Sequence, residues 1–161
     1  MGARLRDLCA GAVGMSKSAK PASVQHYVDA DVLGLAKILV QVRSDVTYPG
    51  DPGGTTRTRR VRPPCPITDP DTDDEVWIPE TARQGWLIIT RDRHIQDHRA
   101  EIEAVRTSGA RMVNLASDEA VNTFAQLEVL MCQWRFVTSL LQEKGPFIYV
   151  LTRTARRQIQ L

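Results

Sequence analysis

The chain has 161 residues, of which 42% are hydrophobic and 25% are charged, and both fractions are near the averages for soluble globular proteins. Its length suits one domain and excludes two domains of enzyme size. The apolar runs are much shorter than the roughly 20 residues that span a bilayer, so we expect no membrane association. The net charge of +2 does not by itself indicate a nucleic-acid partner.

The cysteines and the N-terminal segment indicate the compartment. The three cysteines are widely spaced along the chain, a pattern that favours neither a disulfide framework nor a metal-binding pair. Residues 1–22 are rich in Ala, Gly, Ser and Lys and lack the apolar core of a secretory signal. We therefore expect a cytoplasmic protein with a flexible leader over residues 1–22.

The first elements after the leader are a strand, a turn and a helix. A β-prone run over Val24–Val28 ends in Asp29-Ala30-Asp31, and apolar residues then recur at helical spacing over positions 33–39. A second short strand is predicted near positions 45–48. Residues 49–70 hold six of the nine prolines, which indicates a long loop.

Helices and strands alternate in the middle of the chain. A short helix is predicted over Trp77–Gln84, because Pro79 is tolerated only in the first turn of a helix. The run Trp86–Thr90 is typical of a central strand in a parallel sheet. A charged helix should then end at Ser108-Gly109, before a strand over Arg111–Leu115.

The last predicted elements are a long helix and a strand. Asp118 and Glu119 begin the helix, and Gly145-Pro146 stops it before the strand Phe147–Leu151. Apolar residues that repeat every three or four positions predict its buried face, namely Val121, Phe124, Leu127, Met131, Trp134, Val137 and Leu141.

This alternation predicts an α/β fold, a three-layer sandwich with a mainly parallel central sheet of four to five strands. The domain should cover residues 23–152, with the Pro- and Gly-rich loop at 49–70 inserted and a basic tail at 153–161. Ligands of such folds bind outside the carboxyl ends of the strands. Functional side chains are therefore expected at that edge.

Acidic residues cluster at the predicted carboxyl edge. Asp29 and Asp31 follow the first strand, and Asp92 follows the strand that ends at Thr90. An acidic segment leads into the short helix and contains Asp69, Asp71, Asp73, Asp74 and Glu75. Taken alone, each acid is typical of a turn or a helix cap, but their joint placement predicts one shared site.

Neighbouring carboxylates need a neutralising partner. Two of them a few ångströms apart repel by about 4 kcal/mol at an effective dielectric constant of about 20, so protons or a cation must offset the repulsion. Oxygen ligands without cysteine or histidine favour Mg²⁺ or Mn²⁺. The chemistry that these metals support is the attack of water on a phosphodiester.

The segment Asp29-Ala30-Asp31 also resembles the Asp-x-Asp of aspartate-nucleophile phosphatases. That chemistry requires a lysine at the same edge of the sheet. None of the lysines follows a predicted strand, since they are Lys17, Lys20, Lys37 and Lys144. A phosphatase and a receiver-like phosphoacceptor are therefore disfavoured.

Four segments resemble the PIN-like domains of VapC-type toxins, which belong to VapBC toxin-antitoxin pairs. They run from Tyr27 to Gly34, from Asp74 to Pro79, from Gly85 to Ile95 and from Pro146 to Tyr149, within residues 24–152. The resemblance implies a compact, often dimeric α/β domain that acts as a Mg²⁺-dependent endoribonuclease. RNA, an antitoxin protein and a second copy of the chain are then the expected partners.

The resemblance also implies which acids are catalytic. Asp29 matches the acid after the first strand, and Asp92 matches the acid after the central strand. Asp74 or Glu75 matches the acid before the short helix. We therefore expect Asp29, Asp74 and Asp92 to bind Mg²⁺ or Mn²⁺ and to carry catalysis, with Glu75 as the alternative at the middle position.

Residues around these acids complete the expected site. Asp31 is an additional metal ligand, and Asp97 is the nearest candidate for the fourth acid that many PIN domains carry. Arg91, Arg93 and His94 flank the third acid and are candidate contacts of the scissile phosphate. His94 fits an ordinary surface residue equally well.

Two alternatives stay open. The loop arginines either hold RNA phosphates or form a solvated charged surface, and they are Arg57, Arg59, Arg60 and Arg62. The domain as a whole is either a nuclease or a catalytically silent module that binds RNA or the antitoxin. The sequence favours metal-dependent hydrolysis of RNA.

Overall fold

The computed structural model describes residues 19–92, 99–116 and 118–161. Within these ranges the helices are α1 (Leu33–Val42), α2 (Asp74–Gln84), α3 (Arg99–Ser108) and α4 (Thr123–Ser139). The strands are β1 (Lys20–Pro21), β2 (His26–Val28), β3 (Val46–Thr47), β4 (Gly54–Thr55), β5 (Arg60–Arg62), β6 (Leu87–Thr90), β7 (Arg111–Leu115), β8 (Phe147–Leu151) and β9 (Arg156–Ile159). Short 3₁₀ turns precede α1 and follow α4.

The main sheet has six strands in the order β3-β2-β6-β7-β8-β9. The first five are parallel, and β9 runs antiparallel to β8. The predicted α/β class and the mainly parallel sheet are therefore confirmed. The sheet is larger than the four to five strands predicted, because β9 adds a sixth.

Two layers of helices cover the main sheet. Buried residues of α1 and α4 pack on one face together with Leu87 and Ile89 of β6, and those of α2 and α3 pack on the other face with Ile88. Neighbouring residues of a strand point to opposite faces, so the continuous apolar run of β6 contacts both layers. No helix within the described ranges is long and apolar enough to cross a membrane.

The C-terminal segment differs from the predicted basic tail. Of the residues in β9, Ile159 alone is buried, so the sequence there shows no alternation of apolar and polar residues that would predict a strand. Contacts with the rest of the sheet hold β9 instead: the Arg156 guanidinium lies 4.2 Å from the centre of the Phe136 ring, and the Tyr149 hydroxyl donates to Gln158 at 3.2 Å.

A second sheet is built from segments that were predicted to be irregular. Its strand order is β1-β5-β4, with β1 parallel and β4 antiparallel to β5. The strand β1 comes from the end of the predicted leader, and β4 and β5 form a hairpin within the loop at 49–70. Strands of two or three residues are too short to show a period of two.

Two helix boundaries also differ from the prediction. The helix α2 begins at Asp74 rather than Trp77 and therefore contains Pro79 in its interior. Acidic side chains in its first turn interact favourably with the helix dipole, which offsets part of the cost of the proline. The helix α4 begins at Thr123 rather than Asp118, because the Asn122 side chain caps it by accepting a backbone N–H at 2.9 Å.

The buried face of α4 is rotated away from the predicted one. Phe124 and Met131 were predicted to be inside but are 77% and 52% exposed. Gln126 and Gln133 are buried in their place, and the Gln133 amide donates to the carbonyl oxygen of Thr152 at 2.8 Å. Val137 is buried as predicted, and Leu127, Trp134 and Leu141 are partly buried against the core, so hydrophobic spacing predicted the buried face only in part.

A polar cluster joins α4 to the beginning of β2. The fully buried His26 ring lies 5.1 Å from the Trp134 ring, and Arg43 lies over the same Trp134 ring. Arg43 donates to both carboxylate oxygens of Asp45, at 2.7 and 2.6 Å. Burial acts to raise the pKa of Asp45, but interactions with His26 and Arg43 outweigh it and hold that pKa well below its usual range.

Asp45→Asn should destabilise the fold in a pH-dependent way. A carboxylate with a depressed pKa stabilises the fold above the ordinary pKa of Asp, and this contribution is lost as the pH falls through the depressed value. We expect the free energy of unfolding to fall by about 1–2 kcal/mol near pH 7, because the carboxylate is partly solvated, and by less than half as much at about pH 2. Urea unfolding at both pH values measures the difference.

The exposed Asp71 provides the control, because Asp71→Asn should change stability little at either pH. Equal losses for Asp45→Asn at both pH values would show that shape, rather than charge, makes Asp45 stabilising.

Candidate active site

Asp29 directly follows β2, and its backbone is fixed beside β6. The Asp29 N–H donates to the carbonyl oxygen of Ile89 at 2.9 Å. Its Oδ1 accepts the N–H of Ala30 at 2.6 Å, and its Oδ2 accepts the Thr90 hydroxyl at 3.1 Å. Both carboxylate oxygens are thereby oriented at the carboxyl edge of the sheet.

The Thr90 hydroxyl also links Asp29 to Asp31. Thr90 Oγ1 lies 3.4 and 3.5 Å from the two carboxylate oxygens of Asp31, and the backbone N–H of Arg91 donates to Asp31 at 3.0 Å. A hydroxyl has one proton to donate, so its hydrogen bond can go to Asp29 or to Asp31 but not to both at once. Sequence reasoning assigned no role to Thr90, although its place at the end of a central strand was a signal.

Asp74 belongs to the same cluster. It is the first residue of α2 and accepts the indole N–H of Trp77 at 2.9 Å. The negative charge of Asp74 contributes to the raised pKa values of Asp29 and Glu101, which shows that these carboxylates are near one another. Asp74 and the alternative at this position, Glu75, are both exposed. Of the two, it is Asp74 whose charge raises the pKa values of other acids in the cluster.

An aromatic stack lies directly before Asp29 in the chain. The buried Tyr27 ring lies 5.3 Å from the ring of Trp77 and 6.3 Å from that of Trp86. Because Trp77 is in α2 and Trp86 precedes β6, the stack fixes the helix that carries Asp74 against the sheet.

Glu101 is an acid that sequence reasoning missed. It lies in α3, is 5% exposed and forms a side-chain hydrogen bond with Asp92. Ala104 and Val105 share its buried face, so its helical spacing from Val105 was the available signal. Asp97, which was predicted as a fourth acid, lies outside the described residues.

The strand β7 contributes an amide to the same edge. Asn114 pairs with Thr90 in the sheet, is 2% exposed and donates to the carbonyl oxygen of Asp92 at 2.9 Å. This bond fixes the backbone of Asp92. The side-chain oxygen of Asn114 is buried and has no hydrogen-bond partner within the described ranges. It is therefore a further oxygen beside the carboxylates that could accept a hydrogen bond or bind a cation.

The predicted phosphate contacts are placed in part. Arg91 lies beside the cluster through its bond to Asp31, and two buried nitrogens of its guanidinium, Nε and Nη2, have no hydrogen-bond partner in the part of the chain that the structure describes. Arg93 and His94 lie outside that part. The backbone of Arg91 thus lies beside the acids, and its guanidinium has unused donors.

Burial and mutual repulsion raise the pKa values of three acids in the cluster, Asp29, Asp31 and Glu101. Burial, followed by the charge of Asp31, raises the pKa of Asp29 to about 7. Burial is also the main cause of the raised pKa of Asp31, and Asp92 adds to it. Burial and then the interactions with Asp92 raise the pKa of Glu101 to about 9. Protons therefore neutralise part of the cluster at neutral pH, a role that a cation can take.

The donor chemistry fits a hard divalent cation, since every candidate ligand is an oxygen. Among the residues that the structure describes, however, no three acidic, histidine or cysteine side chains form a ready-made metal site. Mg²⁺ commonly uses one or two carboxylates and completes its shell with water and substrate phosphates. The pairs Asp29 with Asp31 and Asp92 with Glu101 fit that open mode of binding.

Glu101→Gln should stabilise the metal-free protein at neutral and alkaline pH. The folded-state pKa of about 9 exceeds the ordinary value for Glu, so stability is lost as the pH rises from the ordinary value through the raised one. The amide removes this loss. At about pH 8 we expect a rise in Tm of about 2–4 °C for each kcal/mol relieved, and little change at about pH 4.

Thermal melts in EDTA measure this effect. Glu103→Gln, on the exposed side of the same helix, should not reproduce it. A Glu101→Gln protein that melts at a lower temperature near pH 8 would contradict the raised pKa.

Residues 55–117 match the family described as PIN like domain. The matched range contains Asp74, Asp92 and Glu101, whereas Asp29 and Asp31 precede it. A search of curated proteins and a search of solved structures found no significant match. The family match supports a PIN-like domain in this chain, and such domains are commonly related to nucleases.

Proposed function

We propose that this protein is a metal-dependent endoribonuclease and the toxin of a toxin-antitoxin pair. The observation that carries the proposal is the group of carboxylates at one edge of the sheet, formed by Asp29, Asp31, Asp74, Asp92 and Glu101. Three of them, Asp29, Asp31 and Glu101, have raised pKa values. Strongly raised pKa values with specific charge partners are typical of functional sites. The PIN-like match supports the nuclease class.

The proposed reaction is hydrolysis of a phosphodiester, in which water bonds to phosphorus, the bond to the leaving ribose oxygen breaks, and a proton from water ends on that oxygen. Asp29, Asp74 and Asp92 would hold Mg²⁺ or Mn²⁺, with Asp31 as an additional ligand. A metal held there would lower the pKa of the attacking water and stabilise charge on the leaving oxygen. Thr90 orients Asp29.

Other residues position the acids and the substrate. Asn114 fixes the backbone of Asp92, and Glu101 holds its side chain. Arg91 contacts the scissile phosphate in this proposal, together with Arg93 and His94, which follow Asp92 in the sequence. Guanidinium donors suit this task because they match the geometry of phosphate oxygens.

A second candidate is a catalytically silent module that binds RNA or the antitoxin. It is favoured by the finding that no three potential ligands within the described ranges form a ready metal site. Thermal melts with and without Mn²⁺ separate the two candidates, because a ligand that binds the folded state raises Tm by mass action. A silent module should show no shift.

The antitoxin and a homodimer belong to the same proposal, as does a cytoplasmic location. Apolar side chains are exposed on α1 and α4, where Val42, Phe124 and Met131 are 74%, 77% and 52% exposed. Only a contiguous patch of such side chains would mark an interaction site, so the partner part of the proposal rests on the resemblance to VapC-type toxins.

Asp92→Asn should abolish cleavage of RNA while the protein stays folded. The substitution removes one ligand charge and one source of repulsion, so activity should fall by at least about 100-fold, and the Tm without metal should stay equal or rise. Cleavage of end-labelled RNA with Mg²⁺ or with EDTA measures activity. An active Asp92→Asn protein, or cleavage that persists in EDTA, would refute the proposed mechanism.

Asp74→Asn and Glu75→Gln should differ in severity. Asn at position 74 retains an oxygen for the Trp77 indole N–H and therefore tests the charge alone. We expect Asp74→Asn to lower activity by about 10–100-fold and Glu75→Gln to change it little. Equal, mild losses in the same cleavage assay would show that this acidic segment only caps the helix.

A further inference from the structure

A polar groove lies between the β4–β5 hairpin and α1, in a part of the fold distinct from the acidic cluster. Its volume is about 200 Å³. One water occupies about 30 Å³ in the liquid, so the groove has room for a phosphate group and several waters. On the hairpin side it is lined by Gly53, Gly54, Thr55, Thr56, Arg57 and Arg62.

Arg62 is the buried cation of this groove. It is 6% exposed, and its Nη2 donates to Asp51 at 3.1 Å. Its Nε and Nη1 are also buried and have no hydrogen-bond partner within residues 19–92, 99–116 and 118–161. Buried donors without partners cost free energy, and phosphate oxygens match the planar fork of a guanidinium. Because these two nitrogens have almost no solvent-accessible area, the guanidinium must turn toward the groove for a phosphate to accept from them.

Asp51 anchors the guanidinium of Arg62 without using all of its donors. Its Oδ1 also accepts the N–H of Gly53 at 2.9 Å, and its Oδ2 accepts the Thr47 hydroxyl at 3.2 Å. The charge of Asp51 offsets that of Arg62, so the excess positive charge of the groove comes from Arg57. No acidic residue occurs between Asp51 and Asp69.

Hydrogen bonds and close packing hold the backbone of the hairpin in shape without a ligand. The N–H of Arg59, which has a φ of 57°, donates to the carbonyl oxygen of Thr56 at 2.9 Å. The N–H of Arg60 donates to the Thr56 hydroxyl at 3.3 Å. Gly53 approaches so closely that an added Cβ would lie 2.5 Å from the carbonyl oxygen of Arg62. A preformed site loses less entropy when it binds.

We propose that this groove binds a phosphate group through Arg57 and Arg62. The group is either part of an RNA backbone or part of a small phosphate-bearing molecule. If the phosphate belongs to RNA, the inference rests on the proposed function and extends it. The hairpin follows β3, which pairs with β2, and the loop after the hairpin leads to Asp74. Contacts of this kind position a nucleic acid without reading its sequence.

Two variants of the full chain test the groove. Arg57→Gln removes an exposed donor, and Arg62→Lys keeps a cation for Asp51 but loses the planar fork. The control is Arg135→Gln, which removes an exposed arginine from α4. The first probe is a labelled single-stranded RNA of about twelve nucleotides, titrated in EDTA at several salt concentrations. The second is inorganic phosphate, followed by its effect on Tm.

We expect both groove variants to weaken RNA binding by about 5-fold or more, and Arg57→Gln to lower the salt slope by about 0.7. The control should change affinity by less than about 2-fold. If RNA affinity is unchanged but both variants abolish the rise in Tm with phosphate, the groove takes a small phosphate ligand. If neither probe responds to either variant, the inference is wrong.

Binding in EDTA separates this inference from the proposed function. If the protein binds RNA through Arg57 but does not cleave it, only the proposed nuclease activity is refuted. If it cleaves RNA and the groove variants bind RNA as well as the original protein does, only the proposed phosphate site is refuted. If Arg62→Lys does not fold, the exposed Arg57 decides the outcome alone.

Discussion

Repulsion between like charges at the carboxyl edge of the sheet is the constraint on which the site depends. Parallel strands deliver their following residues to one edge, so Asp29 after β2 and Asp92 after β6 meet there. Asp29 is held by neutral donors, namely the Thr90 hydroxyl and the N–H of Ala30, and the Asn114 amide holds the backbone of Asp92. Such donors orient carboxylates without cancelling their charge, so the cluster still favours the binding of protons or cations.

The residues nearest the strands were the ones that the sequence could predict. Asp29 and Asp92 follow apolar runs. A buried strand can be recognised in a sequence by its apolar run, and an acid that directly follows the run can therefore be recognised too. The structure brings both to one edge with Asp31 and Asp74. Glu101 was not predictable in this way, because it follows no strand. Its helical spacing from Val105 was the signal that it faces inward.

The errors in the predicted fold share a physical cause. Pattern analysis assumes that apolar residues face inward, yet α4 buries Gln126 and Gln133 and exposes Phe124. Likewise β9 and the β4–β5 hairpin are held by cross-strand hydrogen bonds and by ion pairs such as Arg62 with Asp51, rather than by an apolar period. Elements stabilised by specific polar contacts are therefore the ones that a sequence pattern misses.

The bond between Trp77 and Asp74 gives the molecule an optical property. The emission of an indole depends on the charge next to its N–H, and this N–H contacts a carboxylate of the cluster directly. The same indole stacks on Tyr27, so its orientation is fixed and its near-ultraviolet circular dichroism should be strong. The charge state of the acidic edge is thus coupled to a natural chromophore, which makes events at that edge visible by spectroscopy without any label.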